Sequence, residues 1–490
     1  EGCGDCSVQS NCIAVEPLET SFGRKRQINQ NSCNKDYSCN DGFCPSFVTL
    51  DGAEPAKPDQ TNLVSREMVT FASLPCPILP ELKAGSEFGL LIAGIGGTGV
   101  VTVGGVLSMA AHLDGKGATV LDFTGLAQKN GAVISQVKIA ENQEDICVPR
   151  ILQHSTDLVI GCDMVVAASN ANFYGKGRTK AVVNDAEIPT AHFTQDTDMD
   201  FPAAAEREAI ERATGAESVS FLNAGAIAEQ LFGNTIATNM FLVGYAWQQG
   251  LLPLSWEAIM QAIKLNGVAI DANTRYFNWG RVYADKPDEL LAFMDGGSEE
   301  LLDESLDAII ARNVAELTAY QSVSYARRYS EAVAGVRLAE KKLGDGEGLT
   351  RQVASAYFKV LAYKDEYEVA RLYTDGSFGE KVANKFDGLK AMTFHMAPPL
   401  ISRKDPVTGE RQKRAFSGSV VVPMFKLMRM GKKIRGTWAD PFGYQEDRKA
   451  ERKLIVDFET ALASLPPKLS GANYDEMIAL FELPEKVRGY

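Results

Sequence analysis

GLLIAGIGGTGVVTVGGVLSMAAHLDGKGATVLDFTGLAQKNGAVISQVKIA, residues 89–140, decides the fold. Residues 89–95 are a short apolar run without two-residue alternation, the pattern of a strand buried on both faces of a parallel sheet. Gly94, Gly96, Gly97 and Gly99 then form a turn. Glycine accepts positive φ and lets another backbone or a phosphate come close, so GIGGTG can set the N–H groups of a following helix against an anion. The pattern predicts that helix over 100–113 and a second strand over 118–122. This strand ends in Asp122, at roughly the 20-residue offset where a dinucleotide fingerprint places its ribose-binding acid. A steric reading of the same glycines competes: they let the helix pack tightly on the strand.

A dinucleotide fold returns to a helix after that acid. Here residues 132–140 read as a third strand, preceded by a polar loop of Gln128, Lys129, Asn130 and Gly131. The order strand, GIGGTG, helix, strand, Q-K-x-G loop, strand resembles the gamma domain of the 2-oxoacid:ferredoxin oxidoreductases. With the cysteine spacing upstream and the helical region downstream, the whole chain resembles the carboxy-terminal portion of the long, fused indolepyruvate ferredoxin oxidoreductases. The resemblance implies an α/β class with a parallel-sheet, Rossmann-like gamma domain over 82–283. A small Cys-rich iron-sulfur segment over 1–50 and a linker over 51–81 precede it, and a mostly helical carboxy-terminal domain over 284–490 follows.

The composition suits such a protein. The 490 residues are 45% hydrophobic and 23% charged, ordinary globular material with chain enough for about two to four domains. A net charge of −13 opposes a general nucleic-acid role, which needs a basic surface. No apolar run approaches the roughly 18 residues of a spanning helix and no signal-peptide pattern opens the chain, so no membrane contact and a cytoplasmic protein are expected. The chain begins at Glu1, inside a cysteine motif, which reads as a fragment of a longer protein.

Six cysteines crowd the amino end: Cys3, Cys6, Cys12, Cys33, Cys39 and Cys44, the last followed by Pro45. C-x2-C-x5-C, then C-x5-C-x4-C-P, admits disulfides, zinc or an iron-sulfur centre. Disulfides suit a small secreted domain rather than a large acidic α/β chain. A four-thiolate zinc site leaves two cysteines over. The closing C-P is similar to ferredoxins, where that cysteine often serves a cluster whose other ligands lie far off in sequence. These six are therefore the candidate ligands of at least one [4Fe-4S] cluster. The basic run Arg24, Lys25, Arg26 reads as a solvated loop, with a cluster-neutralising or ferredoxin-facing role as the alternative. Pro55, Pro58, Pro75, Pro77 and Pro80 give the linker, and Cys76 is an isolated loop thiol.

Within the α/β region, strands at 158–161, 180–184 and 218–222 alternate with helices at 164–171, 203–213, 224–231 and 236–249. Open sheets bind ligands beyond their carboxyl strand ends, where Gly94–Gly99, Asp122–Gly131 and Cys162–Asp163 are expected to gather. The candidate ligand contacts are Gly94, Gly96, Gly97, Gly99, Asp122, Gln128 and Lys129. In related enzymes such a domain is understood to face coenzyme A, so coenzyme A is a candidate ligand. Lys129 suits an anionic substrate or an internal carboxylate. Cys147 and Cys162 read as buried apolar filling. The four histidines show no ligand spacing, and no P-loop or nucleophile elbow occurs.

From about 286 the pattern is helical, over 299–320, 323–343 and 350–373, with Gly344, Asp345, Gly346 as a turn. A further charged helix is expected at 446–462. Basic residues dominate 403–435, among them Lys413, Lys426, Arg429, Lys433 and Arg435. They form either a solvated face or a patch for an anionic partner. The resemblance implies thiamine diphosphate-dependent oxidative decarboxylation of an aryl-2-oxoacid such as indolepyruvate, with electrons passed through iron-sulfur clusters to ferredoxin. Thiamine diphosphate and Mg then belong to upstream domains of the same polypeptide, because Gly344, Asp345, Gly346 is not followed by paired asparagines. A homodimer is expected, and no catalytic residue is assigned within this chain. Two readings compete: a nicotinamide-dependent oxidoreductase built on Gly94, Gly96, Gly99 and Asp122, and a non-enzymatic, zinc-stabilised scaffold.

Overall fold

The apolar run at 89–95 sits inside a six-stranded sheet, and the strands on its two sides differ in direction. The structure, a computed structural model, describes all residues except 1, 3, 43, 57–66, 68–69, 126–130, 188–195, 197–200, 295–304, 345, 399–401, 403–411, 466 and 487–490. It divides into two compact units. One holds residues 30–33 and 57–299; the other holds 1–29, 34–56 and 300–490.

The α/β unit carries β1 (Glu87–Ile95), β2 (Gly117–Thr124), β3 (Ala132–Ala140), β4 (Leu158–Gly161), β5 (Lys180–Asn184) and β6 (Val219–Leu222). Their order in the sheet is β6-β5-β4-β1-β3-β2. β6, β5, β4 and β1 run parallel, whereas β3 is antiparallel to both β1 and β2. The sheet is mostly parallel, as expected, with β3 as its antiparallel exception. The stretch between β2 and β3 is too short for the crossover of a dozen or more residues that a parallel pair needs, so β3 folds back beside β2. Ser135 to Ala140 of β3 are all buried. Its polar members are matched: Gln136 accepts from the Ile151 amide at 2.8 Å, and Lys138 pairs with Glu87 at 2.6 Å.

Successive residues of β1 feed opposite faces. Leu90 and Ile92 join Val103 and Leu107 of α1 (Val100–Leu113) in one core, and Leu91 and Ala93 join Met164 and Ala167 of α2 (Met164–Ser169) in another. Beyond α3 (Ala203–Thr214) and α4 (Ala224–Phe232), α5 (Thr238–Gln248) crosses the later helix α7 (Ile270–Asp285), α6 (Trp256–Asn266) lying between them in sequence. A Cβ on Gly244 would lie 1.8 Å from the Phe277 carbonyl oxygen, and one on Gly280 would lie 2.0 Å from that of Phe241. The two backbones touch because both positions lack a side chain.

The proline-rich stretch expected as a linker is, where described, part of the folded units. Glu67 is buried, accepting from Arg275 at 2.7 Å and from the Trp279 indole at 2.9 Å. Leu74 enters the core with Phe71 and Leu79 packed against it. Apolar residues between the prolines give this segment something to bury. The α/β unit also continues past 283 through the helix Pro287–Met294.

In the other unit, α8 (Leu306–Tyr320), α9 (Val323–Glu340) and α10 (Gly348–Leu361) bury Leu317, Tyr329, Val353 and Tyr357 against Phe458 of the helix Glu446–Ser464. The single helix expected over 350–373 is two, because Asp365 caps α11 (Glu366–Leu372) by accepting from the Glu368 amide at 2.8 Å. Asp345 of the expected turn lies outside the described residues. In the segment 1–50, the strand Val48–Asp51 pairs with Ala391–Met396, which pairs with Arg414–Ser417. Lys25 and Arg26, expected in a loop, begin the strand Lys25–Ile28 paired with Val15–Leu18, and Arg24 pairs with Glu19. Part of the basic stretch is internal: Arg435 is buried, bonded to Asp365 at 2.5 and 2.8 Å and stacked on Tyr320. Among the described residues no helix is long and apolar enough to cross a membrane.

Candidate functional site

In the α/β unit, β1 runs out at Ile95 and the chain turns through Gly97 (φ 98°) and Gly99 (φ 76°) into α1. The Thr98 hydroxyl donates to the Ile95 carbonyl at 2.7 Å, and Asn239 of α5 donates to the Thr98 carbonyl at 3.0 Å. Gly96 N–H donates to the Gly131 carbonyl at 2.8 Å, tying the turn to the start of β3. A Cβ on Gly94 would stand 2.8 Å from Val100 and 3.1 Å from Cys162, and one on Gly99 would stand 2.2 Å from the Asn239 amide nitrogen. Gly104 faces Ser135 at 2.2 Å. Close packing therefore accounts for Gly94, Gly99 and Gly104. Gly97, with open space beside it, answers to its positive φ alone.

The expected rim forms in part. Cys162 N–H donates to Ala93 at 2.7 Å, so β4 carries Cys162 and Asp163 to the turn. Asp163 caps α2 through the Val166 amide at 2.8 Å. Burial raises its carboxyl pKa, partly offset by the Val166 and Val165 amides. Burial also pushes the Cys162 thiol up to about 12, with Asp163 adding to it, which leaves an unreactive apolar filler. Cys147, expected to be buried, is exposed, because it follows β3 in a surface loop where its amide donates to Glu87.

Asp122 does not join the rim. It lies exposed on the edge strand β2, opposite Ser135, which is opposite Ile92 of β1. β3 separates β2 from β1 by two strand spacings, about 10 Å, so Asp122 is not the ribose acid of a neighbouring parallel strand. The nicotinamide reading loses its defining residue. Gln128 and Lys129 lie outside the described residues.

The second candidate site is built on the cysteines. Cys6 and Cys44 are buried, and Cys12, Cys33 and Cys39 are half-buried. Cys6 sits in the helix Asp5–Ser10, and a Cβ on Gly42 would lie 2.9 Å from Cys6 Cα, so the turn after Cys39 packs directly on that helix. Lys413 donates to the Asn40 carbonyl at 2.9 Å, 373 residues away in sequence, and lies 5.0 Å from the Phe47 ring. Burial lowers its ammonium pKa, while Cys44, Cys6, Asp5 and Cys39 around it pull it back up. His395 contacts Thr49 at 2.7 Å and Asn40 at 3.3 Å. Burial and Lys413 lower the His395 pKa, with Asp51 opposing. The Tyr373 hydroxyl donates to the Pro45 carbonyl at 3.1 Å.

Three cysteines thus lie around one half-buried lysine. Cys12 and Cys33 are not among the groups facing Lys413, and Cys33 falls in the α/β unit. Cys3 lies outside the described residues. Among the described residues no group of three or more His, Cys, Asp or Glu is arranged to hold a metal ion. They bring three cysteines beside one lysine and do not make a complete ligand set. The spacing pointed to Cys6, Cys39 and Cys44. Only the excess of basic residues around 403–435 hinted at Lys413.

The α/β unit has known relatives. Residues 89–283 match the pyruvate ferredoxin/flavodoxin oxidoreductase family, and residues 306–490 match a family of unknown function, DUF6537. Indolepyruvate oxidoreductase subunit IorB of Thermococcus kodakarensis is 28% identical over 197 residues, 40% of this chain and 94% of that protein. IorB of Pyrococcus horikoshii is 27% identical over the same length and shares. Among solved structures, pyruvate oxidoreductase subunit PORC of Thermotoga maritima matches with 21% identity and a TM-score of 0.29, covering 40% of this chain and 95% of that one. A 2-oxoglutarate:ferredoxin oxidoreductase of Magnetococcus marinus, solved with 2-oxoglutarate, coenzyme A and succinyl-CoA bound, matches with 15% identity and a TM-score of 0.30, over 41% of this chain and 31% of that one. Residues 89–283 of the chain thus match the pyruvate ferredoxin/flavodoxin oxidoreductase family and are similar over that span to the indolepyruvate oxidoreductase subunit IorB.

Proposed function

We propose that this chain serves a thiamine diphosphate-dependent oxidoreductase that decarboxylates an aryl-2-oxoacid of the indolepyruvate type and passes the electrons to ferredoxin. The observation that carries the reading is the match of residues 89–283 to nearly the whole of IorB. Thiamine diphosphate with Mg would supply the bond breaking, and in this reading it is held upstream of these residues, so this chain alone does not turn over. The glycine turn positions α1 against β1 and β3, and coenzyme A is the candidate ligand at its rim, with Gln128 and Lys129 as candidate contacts.

Cys6, Cys39 and Cys44, with Cys3, Cys12 and Cys33, are the candidate ligands of one or more [4Fe-4S] clusters, which supply one-electron transfer when bound. Lys413 balances the negative charge that thiolates bring together, and burial of Cys6 and Cys44 keeps water from them. The test adds indolepyruvate and coenzyme A to the chain together with its thiamine-binding domains, under anaerobic conditions, and follows ferredoxin reduction. Reduction that depends on both additions supports the reading. Failure of the complete assembly to reduce ferredoxin, with NAD reduced instead, contradicts it.

A further inference from the structure

The helix Gly418–Met428 is apolar on both sides. Its inner side buries Val421 and Phe425 in the cluster with Phe394. Its outer side exposes Val420 (67%), Met424 (43%) and Leu427 (71%) at helical spacing, and Met430 (68%) continues the stripe into the next turn. Trp438, further along, is 88% exposed. A helix that is hydrophobic all round is normally covered, and a contiguous exposed stripe marks an interaction surface.

Charge narrows the occupant. Lys426, Arg429 and Lys433 are exposed among these apolar groups, and among the described residues none of the three has a carboxylate partner. Arg429 is held in place by the Thr374 carbonyl at 2.7 Å. A two-fold contact of this face with a second copy would set the three cations against their own images, which costs affinity. An anionic lipid surface would attract the cations but repel a chain of net charge −13. An acidic protein surface with an apolar centre satisfies both features, and Met, Trp and Arg are the residues enriched where proteins meet.

The inner side points to what that protein does. Phe425 stacks on Tyr373 with ring centroids 5.7 Å apart, and Tyr373 donates to the carbonyl of Pro45, the residue after Cys44. One helix and one aromatic layer, on the order of 15 Å, separate Cys44 from the exposed stripe. We propose that the outer face of the helix Gly418–Met428 docks an acidic, one-electron carrier protein over the cysteine site. The proposal rests on the reading of that site as a redox centre.

The test titrates the full chain, purified anaerobically, with an acidic [4Fe-4S] ferredoxin by calorimetry at low and high salt, and measures iron on the same samples. Binding that weakens with salt is expected, at least tenfold weaker in Leu427→Asp and in the triple reversal K426E/R429E/K433E. A reversal away from the face, K341E/K342E, should leave affinity within about twofold. Circular dichroism checks that each variant folds, which substitutions at exposed positions permit. Equal binding by all variants, or no binding by iron-loaded protein, overturns the docking face. Self-association abolished by Leu427→Asp, or binding of phosphatidylserine vesicles in place of ferredoxin, overturns the occupant. Ferredoxin binding by iron-free protein overturns the redox reading and leaves the face standing.

Discussion

The glycine turn at 94–99 and the cysteine segment at 3–44 are both dense clusters of one residue type, yet they are held in opposite ways. Each glycine with a close neighbour meets a side chain of the same α/β unit, as Gly94 meets Cys162 and Gly99 meets Asn239. The cysteines take their surroundings from the far end of the chain, through Lys413, Tyr373 and His395. The first cluster is a problem of shape, solved by removing Cβ atoms. The second is a problem of charge, answered by a half-buried lysine.

The largest expected effect probes charge inside the cysteine-bearing unit. Arg435 and Asp365 are both buried and bonded to each other. Arg435→Met leaves Asp365 without its partner and should cost about 3–5 kcal/mol. Urea unfolding checks this; a loss below about 1 kcal/mol would mean that the pair is solvated in solution. The cost should fall on this unit, leaving the glycine-turn unit intact to proteolysis.

Next comes pH. Burial raises Glu451 from 4.5 to about 7, against the pull of Arg448, and its Oε1 is buried without a hydrogen-bond partner. The folded state then holds a proton that the unfolded chain releases in that interval. The contribution of Glu451 to stability is greatest below about 4.5 and falls as pH rises to about 7, by about 1–3 kcal/mol. Glu451→Gln should flatten the dependence of unfolding midpoint on pH over this window. An unchanged slope would place the titrating group elsewhere.

The smaller effects separate shape from anion binding at the glycine turn. Gly99→Ala adds a Cβ 2.2 Å from Asn239 at a φ of 76° and should destabilise by about 2 kcal/mol. Gly105→Ala, on the same helix with open space beside it, should stabilise by about 0.5–1 kcal/mol. Thermal melts of the two variants decide the matter. Equal effects would mean that packing does not govern these glycines.

The comparison also explains what the sequence discloses. Helix 100–113 and strand 132–140 are read to the residue, because periodicity, glycines and short connections are local signals. The loop too short for a crossover forces β3 to run antiparallel, and that displaces Asp122. The proline-rich stretch misleads because prolines are visible, whereas the partners of Glu67, Arg275 and Trp279, lie some 200 residues on. Cysteine spacing marks Cys6, Cys39 and Cys44, but no local pattern links them to Lys413. Its neighbours in sequence are basic, and only the pairing of Arg414–Ser417 with Ala391–Met396, and of that strand with Val48–Asp51, brings it to Asn40. Pairings over such distances depend on the whole fold.

The central claim, that thiolates around Lys413 belong to an electron-transfer site, is tested most directly by iron and acid-labile sulfide content of the anaerobically purified chain, alongside its visible spectrum. Brown protein with iron and sulfide in equal amounts, both lost in Cys44→Ser, is the expected result. Colourless protein holding stoichiometric zinc, or no metal, would contradict it.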